Sequence, residues 1–258
     1  MECMAIIPAR SASKGIPNKN IRLMGGYPLL AWSIAAAKLS SRVTRVVVST
    51  DSPDYAALAR HYGAETPFLR PAELAQDHSL DIEFLLHALD WFKKNENYFP
   101  DFLMHLRPTS PLRDPQVLDQ AVDMITGKPE ATSVISVCPA DHPPHKYLKM
   151  NQAGFLTSYI DGVEIHIPRQ QCPQAYRCNG YVDVLRSASV WESKSHLGSN
   201  IWPIFTENPS DIDIELDFVK TGKELNGKVG SLLEYLEKIG PFASYDSLNI
   251  WKAASNGL

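Results

Sequence analysis

The sequence predicts an α/β fold with a doubly wound, mostly parallel sheet, and two observations support this prediction. Short apolar runs, beginning with Met4 to Pro8, alternate with segments of helical periodicity through the first half of the chain. Successive strands are separated by enough residues for a helix, which a right-handed crossover between parallel strands requires. In such a Rossmann-like sheet the carboxyl ends of the strands meet at one edge, and we expect the ligand there.

The individual elements follow from local signals. β-branched and apolar runs predict strands at Met4–Pro8, Arg45–Thr50, Phe102–Leu106 and Thr132–Val137. Apolar residues at helical spacing predict helices at 29–39, 53–62, 82–93, 114–125, 216–225 and 229–239. Capping residues mark several ends, since Asp51 or Ser52 can begin the second helix and Gly63 can end it.

The pattern changes after Cys138. Residues 139–182 alternate in polarity and are interrupted by prolines, which is typical of short antiparallel strands and loops. Helical periodicity returns later in the chain. We therefore interpret residues 139–182 as an antiparallel insertion within a single domain that covers residues 1–258.

Composition excludes several classes of protein. The chain has 258 residues and a formal net charge of -4, which argues against general binding to nucleic acid. No apolar run is long enough to span a bilayer, and Pro8 and Arg10 interrupt any leader pattern at once. The four cysteines lack the spacing of a zinc site or a disulfide framework. The expected location is the cytoplasm, with no membrane partner.

The loop from Ala9 to Asn20 follows the first strand and concentrates positive charge. Its cations are Arg10, Lys14 and Lys19. Small residues such as Ser13 and Gly15 permit tight turns whose N–H groups can point at phosphate oxygens. Neither a Walker loop nor a dinucleotide fingerprint is present. The loop is therefore either a phosphate site of another kind or an ordinary solvated basic loop.

The acidic segment D-I-D-I-E-L-D-F, Asp211 to Phe218, is a candidate metal site. Asp211 and Asp213 are two residues apart, so in extended backbone their carboxylates point the same way. An oxygen-only pair suits Mg²⁺ that shares its coordination shell with substrate phosphates. Glu215 and Asp217 have a simpler interpretation, because acidic residues are favoured in the first turn of a helix.

Two further loops carry candidate binding residues. L-R-P-T-S-P-L-R, Leu106 to Arg113, is a proline-fixed turn at a strand end whose hydroxyls, on Thr109 and Ser110, can position a substrate. P-R-Q-Q-C-P-Q-A-Y-R-C-N-G, Pro168 to Gly180, collects planar hydrogen-bonding groups that suit a carboxylate or a sugar. The alternatives are ordinary loop chemistry for the first and a surface hairpin for the second.

Taken in order, these motifs resemble the acylneuraminate cytidylyltransferases, the CMP-sialic acid synthetase family. The matching stretches are I-I-P-A-R-S-A-S-K-G-I-P-N-K-N, V-V-V-S-T-D-S, F-L-R-P-A-E-L-A-Q-D, R-P-T-S-P-L-R and D-I-D-I-E-L-D-F. The resemblance implies a nucleotide-diphospho-sugar transferase-like fold. It also implies transfer of CMP from CTP to a nonulosonic acid, a nine-carbon 2-keto sugar acid, with Mg²⁺, or Mn²⁺ in its place.

The resemblance implies roles for individual residues. The nucleotide would be bound by Arg10, Ser13, Lys14, Lys19, Asn20, Arg70, which would read cytosine, and Ser79. The sugar acid would be bound by Lys146, Arg169, Arg177 and Asn179. The metal carboxylates would be Asp211 and Asp213. The catalytic contribution would come from Arg10, Lys14, Lys19 and Asp211. The insertion would be the dimerisation element of a homodimer in which each subunit reaches over its partner's site.

Three positions depart from the sialic acid enzymes. Ala12 stands where a glycine is usual, Arg107 where a glutamine faces the sugar, and Asp183 where a tyrosine is found. Because charged groups at the last two positions would change the hydrogen bonds to the sugar, we expect a related nonulosonate such as legionaminate rather than N-acetylneuraminate.

Other classes of protein stay open. A cytidylyltransferase for the eight-carbon acid Kdo would be similar in the first loop but lacks this acidic ending. A sugar-1-phosphate nucleotidyltransferase and a nucleotide-binding module without turnover share the fold. A nicotinamide-dependent oxidoreductase would place an acid such as Asp51 after the second strand, but the glycine fingerprint is absent.

Overall fold

The computed structural model of the chain describes residues 1–13, 15–207, 211–228 and 230–243. The strands are β1 (Cys3–Pro8), β2 (Leu23–Met24), β3 (Tyr27–Pro28), β4 (Arg45–Ser49), β5 (Phe102–His105), β6 (Ser133–Pro139), β7 (Leu148–Met150), β8 (Leu156–Ser158), β9 (Tyr176–Arg186) and β10 (Ile201–Phe205). The α-helices are α1 (Leu29–Leu39), α2 (Pro53–His61), α3 (Asp81–Asn95), α4 (Pro115–Thr126), α5 (Ser187–Ser193), α6 (Glu215–Lys228) and α7 (Gly230–Ile239).

Six of these strands form the central sheet in the order β10–β6–β9–β5–β1–β4. Only β9 runs antiparallel to its two neighbours, so the predicted doubly wound, mostly parallel fold is confirmed. The predicted strands correspond to β1, β4, β5 and β6. The predicted helices correspond to α1 to α4, α6 and α7, although Val229, the predicted start of the last helix, lies outside the described residues.

Local chemistry explains where the helices begin and end. The Ser52 side chain accepts a hydrogen bond from the N–H of Tyr55, and Asp114 caps α4 in the same way through Gln116, with a proline following each cap. Gly63, at a φ of 93°, lets the chain turn away after α2 without the strain that a side chain would cause there.

Strand β9 was not predicted as part of the main sheet. It begins inside residues 139–182, so part of the predicted insertion pairs with β5 and β6 at the centre of the molecule. The antiparallel hairpin β7–β8 forms a separate small sheet. The strand begins with exposed or half-buried residues, Tyr176 to Cys178, so the sequence pattern does not show that it continues as a buried strand from Val182 to Leu185.

The core lies on both faces of the sheet. Cys3, Ala5 and Ile7 of β1 pack into one hydrophobic cluster, whereas Met4 and Ile6 pack into the other. Burial on both faces explains why β1 is continuously apolar instead of alternating. In the described part of the chain, no helix combines the length and the apolar character that crossing a membrane would take.

The carboxyl ends of neighbouring strands are held in line by backbone hydrogen bonds. Ala9, just after β1, donates to the carbonyl of Ser49 in β4 at 2.9 Å. Leu106, just after β5, donates to the carbonyl of Ile6 in β1 at 3.1 Å. The loops that follow β1, β4 and β5 therefore leave the sheet side by side, and their polar residues surround one region.

Candidate active site

A cavity of about 570 Å³ opens at this edge of the sheet. The predicted site residues that line it are Arg10, Ser13, Lys19, Asn20, Arg70, Ser79, Arg107, Thr109 and Asp213. Lys14, which was predicted to bind the triphosphate, lies outside the described residues. The first loop, the loop after β5 and the late acidic segment thus share one cavity.

The first loop is fixed by its own polar contacts. Ser11 donates to Asp51 through both its backbone N–H (2.8 Å) and its hydroxyl (2.7 Å). The amide of Asn20 donates to the carbonyl of Arg10 at 3.0 Å. Asp51, the acid that a nicotinamide-binding fold would direct at a ribose, therefore anchors the loop instead.

The first loop also touches the acidic segment. The Nζ atom of Lys19 donates to the carbonyl of Ile212 at 2.7 Å and lies 3.4 Å from the Oδ1 atom of Asp213. A Cβ atom at Gly15 would lie 2.9 Å from the carbonyl oxygen of Asp213, so the backbones approach too closely there for any side chain. This close approach brings cations and carboxylates to the same wall of the cavity.

Arg70 forms the deep wall of the cavity. Its side chain is buried, donates to the hydroxyl and the carbonyl of Ser49 at 3.0 and 2.6 Å, and lies over the ring of Phe84. Burial lowers the pKa of Arg70 to about 10, so the guanidinium stays charged at neutral pH. Because the contacts to Ser49 use two of its five N–H donors, the remaining ones are available to a ligand.

A second cavity, of about 280 Å³, adjoins the first. It is lined by Arg107, Ile135, Cys178, Asn179, Gly180, Asp183, His196, Leu197 and Asp211. Arg107 lines both cavities and therefore stands between them. The structure thus brings together Arg107, Asn179, Asp183 and Asp211 from the predicted set.

Arg107 is held between two carboxylates. Its guanidinium donates to Asp183 at 2.8 Å and to Asp81 at 2.9 Å. Burial opposes its charge, yet the two carboxylates outweigh burial and raise the pKa of Arg107 above its ordinary value. Asp81, the first residue of α3, is a site residue that sequence reasoning missed, because acids are common at any helix start.

Two histidines, also missed, complete this polar cluster. The Nδ1 atom of His105 lies 3.4 Å from the Nε2 atom of His196, and each of these atoms lies within 4.0 Å of the Oδ2 atom of Asp183. Burial holds the pKa of His105 well below its ordinary value and lowers that of His196 as well. Both rings are therefore neutral at neutral pH. No motif spacing could have found them, since they lie 91 residues apart.

His105, His196 and Asp81 are close enough to hold a metal ion, with ligand atoms within 4.8 Å of one another. Two observations favour a hydrogen-bonded network instead. Arg107 already donates to the Asp81 carboxylate. Among the residues that the structure describes, the buried Nε2 atom of His105 has no hydrogen-bond partner, whereas a metal-bound histidine normally donates its other ring N–H.

The acidic residues of the late segment divide between different tasks. Asp213 lines the first cavity and Asp211 the second. Asp217 accepts the backbone N–H groups of residues 213 and 214, and Glu215 pairs with Arg22 through both carboxylate oxygens. The helix-start interpretation of Glu215 and Asp217 agrees with these contacts, and Asp211 and Asp213 are left to face the cavities.

Some predicted residues lie away from both cavities. Ser110 is buried behind the wall, with its hydroxyl 3.4 Å from the carbonyl of Gly180. Lys146 and Arg169 lie in short 3₁₀ turns of the segment between β6 and β9, and Arg177 lies at the start of β9. None of these residues lines either of the two cavities.

Comparison with known proteins gives a consistent picture. A family model described as "Cytidylyltransferase" matches residues 4–230. The chain is 36% identical to the CMP-N,N'-diacetyllegionaminic acid synthase of Legionella pneumophila, over 88% of this chain and 98% of that protein. It is 34% identical to the N-acylneuraminate cytidylyltransferase of Escherichia coli, over 83% of this chain and 50% of that protein.

Among solved structures, the chain is similar in fold to a CMP:2-keto-3-deoxy-manno-octonic acid synthetase in complex with CTP. The TM-score is 0.66, and the match covers 88% of this chain and 99% of that one. At 15% identity this likeness concerns the fold alone.

Proposed function

The chain belongs to the cytidylyltransferase family, and from that premise we propose that it transfers CMP from CTP to a nonulosonic acid with release of pyrophosphate. The observation that carries the proposal is the pair of adjoining cavities with Arg107 between them. The larger cavity is lined by several cations and suits a nucleoside triphosphate, and the smaller cavity suits a polar sugar acid. Since CTP is a cytoplasmic nucleotide, the reaction would take place in the cytoplasm.

For the nucleotide, we assign the triphosphate to the first loop and the base to the deep wall. Arg10, Ser13, Lys19 and Asn20 line the cavity close together, and Lys14 belongs to the same loop. Arg70, with donors left over after binding Ser49, would contact the acceptor atoms of cytosine, next to Ser79. This division matches the charge distribution, because the phosphates need several cations and the base needs directed donors.

For the sugar acid, we assign the second cavity. Arg107, Asn179 and Asp183 would bind its substituents, with Thr109 at the boundary between the cavities. Ser110 would help to hold Gly180 in place, because its hydroxyl donates to the carbonyl of Gly180. We assign Lys146, Arg169 and Arg177 to the sugar acid bound by a second copy of the chain, because they line neither cavity of their own subunit.

The second copy would dock on the hairpin β7–β8. Met150, Phe155, Leu156 and Tyr159 are between 60% and 71% exposed on this hairpin. A cluster of large apolar side chains on a short segment is typical of a protein interface. We therefore propose a homodimer in which each hairpin reaches the partner's second cavity.

Mg²⁺ is the proposed metal, with Mn²⁺ as a substitute, and its proposed ligands are Asp213 of the first cavity and Asp211 of the adjoining second cavity. The donor chemistry fits, because a carboxylate offers the oxygen ligands that Mg²⁺ prefers, and the Asp213 side chain is 74% exposed beside Lys19. When bound, the ion would offset negative charge on the phosphates. The carboxylates of Asp217 and Glu215 are already committed to other contacts.

The reaction requires the protein mainly to position the two substrates and to offset the negative charge of the phosphates. The anomeric hydroxyl of the sugar acid forms a new bond to the α-phosphorus of CTP, the bond to the β-phosphate oxygen breaks, and the hydroxyl proton is released to solvent. Arg10, Lys14 and Lys19 would stabilise the charge that develops on the departing pyrophosphate. Asp211, a proposed metal ligand that lines the second cavity, would help to keep the nucleotide facing the sugar acid.

Among nonulosonic acids, we propose a legionaminate-type substrate. The Arg107–Asp183 pair occupies positions where the sialic acid enzymes are expected to carry glutamine and tyrosine, so the hydrogen-bonding pattern of the second cavity differs. The test is pyrophosphate release from CTP with legionaminic, N-acetylneuraminic and pseudaminic acids and Kdo. We expect the highest kcat/KM with a legionaminic acid. Release with Kdo alone, or with none of the four acids, would contradict the proposal.

A further inference from the structure

Arg113 is a fully buried cation behind the second cavity, with 1% of its surface exposed. Its guanidinium donates to the Ser33 hydroxyl at 2.9 Å and to the carbonyls of Arg107 and Gly180 at 2.7 and 3.2 Å. It also donates to the carbonyls of Ser110 and Tyr181. A guanidinium has five N–H donors, and these five oxygens can satisfy all of them.

All five acceptors are neutral, so this charge is not balanced by a bonded carboxylate. No ion pair of Arg113 occurs among the residues that the structure describes, although Asp183 and Asp211 lie near enough to favour its charge. Burial lowers the pKa of Arg113 to about 10, which leaves the group charged at neutral pH. A buried charge is costly, and the five hydrogen bonds are what make it tolerable.

The acceptors belong to the segments that form the wall of the second cavity. Arg107 and Ser110 are the two ends of the turn after β5, and Gly180 and Tyr181 lie in β9. Gly180 has a φ of 68°, and a Cβ atom there would lie 3.8 Å from the Arg107 side chain. One guanidinium thus joins the turn to a strand position that only glycine adopts easily.

We propose that Arg113 is a positioning residue for the sugar acid, holding the turn 107–110 against Gly180 and Tyr181 so that Arg107 and Asn179 face the second cavity in a fixed arrangement. The inference rests on the proposed function, because it assumes that this cavity takes the sugar acid. The nucleotide cavity shares Arg107, Pro108 and Thr109 of this turn, but the residues proposed to bind the triphosphate and the base lie in the first loop and around Arg70, outside the segments that Arg113 joins.

The experiment compares Arg113→Lys and Arg113→Met with the wild-type protein. Lysine keeps the charge but has three donors instead of five, and methionine keeps the bulk alone. We expect the KM for the sugar acid to rise at least about tenfold in both variants, while the Kd for CTP stays within about threefold, because the residues proposed to bind the triphosphate and the base lie outside the turn 107–110. An unchanged KM for the sugar acid, or an equal change in both constants, would overturn the proposal.

Arg186 provides a matched control. It also donates to three backbone carbonyls, those of Ile125, Lys128 and Ala131, and it stacks over Phe102. It lies at the other end of β9 and lines neither of the two cavities. Arg186→Met should lower the melting temperature without changing the ratio of the two constants. If Arg186→Met raised the KM for the sugar acid as much as Arg113→Met, loss of fold stability alone would explain the effect of the Arg113 variant, and the positioning role would be contradicted.

A second measurement separates this inference from the proposed function. Hydrogen exchange read by mass spectrometry should show faster exchange for residues 107–112 and 179–182 in both Arg113 variants, with no change in residues 3–8. This outcome does not depend on any sugar acid. Absence of turnover in the wild-type protein would contradict the proposed function, whereas unchanged exchange in both segments would contradict the positioning role.

Discussion

Lys19 and Asp213 are 194 residues apart in the chain, yet the Nζ atom of one lies 3.4 Å from the Oδ1 atom of the other at the wall of a single cavity. Lys19 also donates to the carbonyl of Ile212, so the first loop and the acidic segment are joined by a directed hydrogen bond as well as by charge. A cation for phosphates and a carboxylate for a metal therefore face the same space.

Replacing Asp213 by Asn should reduce kcat with Mg²⁺ by about 100-fold, because the neutral amide is a poor ligand for a hard cation. The Kd for CTP should change much less. The control is Glu215→Gln, which removes a carboxylate from the same segment but one that pairs with Arg22 and lines neither cavity. Equal loss of kcat in both variants would show that the segment's charge, and not a metal ligand, is what matters.

Replacing Arg70 by Lys should raise the Kd for CTP about tenfold, which corresponds to the loss of roughly one charge-assisted hydrogen bond. Lysine lacks the planar fork of N–H donors through which arginine can bind Ser49 and a base at the same time. Isothermal titration gives the Kd directly. Arg45→Lys is the control, because Arg45 also lies over an aromatic ring, that of Phe92, but pairs with Glu65 and Glu96 away from the cavity. CTP affinity that is unaffected in Arg70→Lys would remove this residue from the nucleotide site.

Substitutions at Arg107 and Asp183 should have non-additive effects on the free energy of unfolding, because the two side chains form an ion pair. Arg107→Gln leaves Asp183, only 7% exposed, without its closest cation, and should lower the free energy of unfolding by about 3 kcal/mol. The double variant Arg107→Gln/Asp183→Asn also removes the buried charge of Asp183 and leaves Asp81, which is 39% exposed, without its Arg107 partner, so about 1 kcal/mol or more should be recovered. Urea unfolding of the wild type, Arg107→Gln, Asp183→Asn and the double variant measures this coupling. Additive effects would mean that the two side chains act independently.

Stability should fall as the pH drops below about 6.5, the ordinary pKa of histidine. Burial lowers the pKa values of His87, His105 and His196, so the unfolded chain binds protons in this range that the folded chain does not. Each group adds at most about 1.4 kcal/mol per pH unit. Urea unfolding at several pH values should give a shallower dependence in His87→Gln, whereas His166→Gln, at an exposed position, should leave it unchanged. A pH-independent wild-type protein would contradict the burial of neutral rings.

Replacing Phe155 by Ser should convert the proposed dimer into monomers. Phe155 is 71% exposed at the tip of the hairpin β7–β8, where a second copy would cover it. Sedimentation measures the mass, and the KM for the sugar acid should rise with dissociation if Lys146 and Arg169 act on the partner's cavity. Met124→Ser, at an exposed apolar position on α4, should leave the mass unchanged. A wild-type protein that sediments as a monomer would refute the dimer.

Local signals were enough for much of the fold and for part of the site. Strands β1, β4, β5 and β6 and most helices could be predicted, because periodicity and capping depend on residues that are close in the chain. The first loop and the acidic segment were recognised for the same reason, since their charge and spacing are visible in a few consecutive residues. Arg70 and Ser79 depended on the resemblance to a family, because neither stands in a pattern with chemical meaning of its own.

Tertiary structure decided what depends on contacts between distant segments. The alternation of an extended strand suggested that Asp211 and Asp213 face one way, but no described strand covers residues 211–214, and the two side chains line different cavities. Likewise Asp183 lies opposite His105 because β9 pairs with β5, and the packing of α3 and of the segment after α5 adds Asp81 and His196 to the same cluster. The sequence by itself determined which segments form strands, helices and charged loops. Which of them become neighbours was decided by long-range strand pairing and core packing, whose partners leave no local trace in the chain.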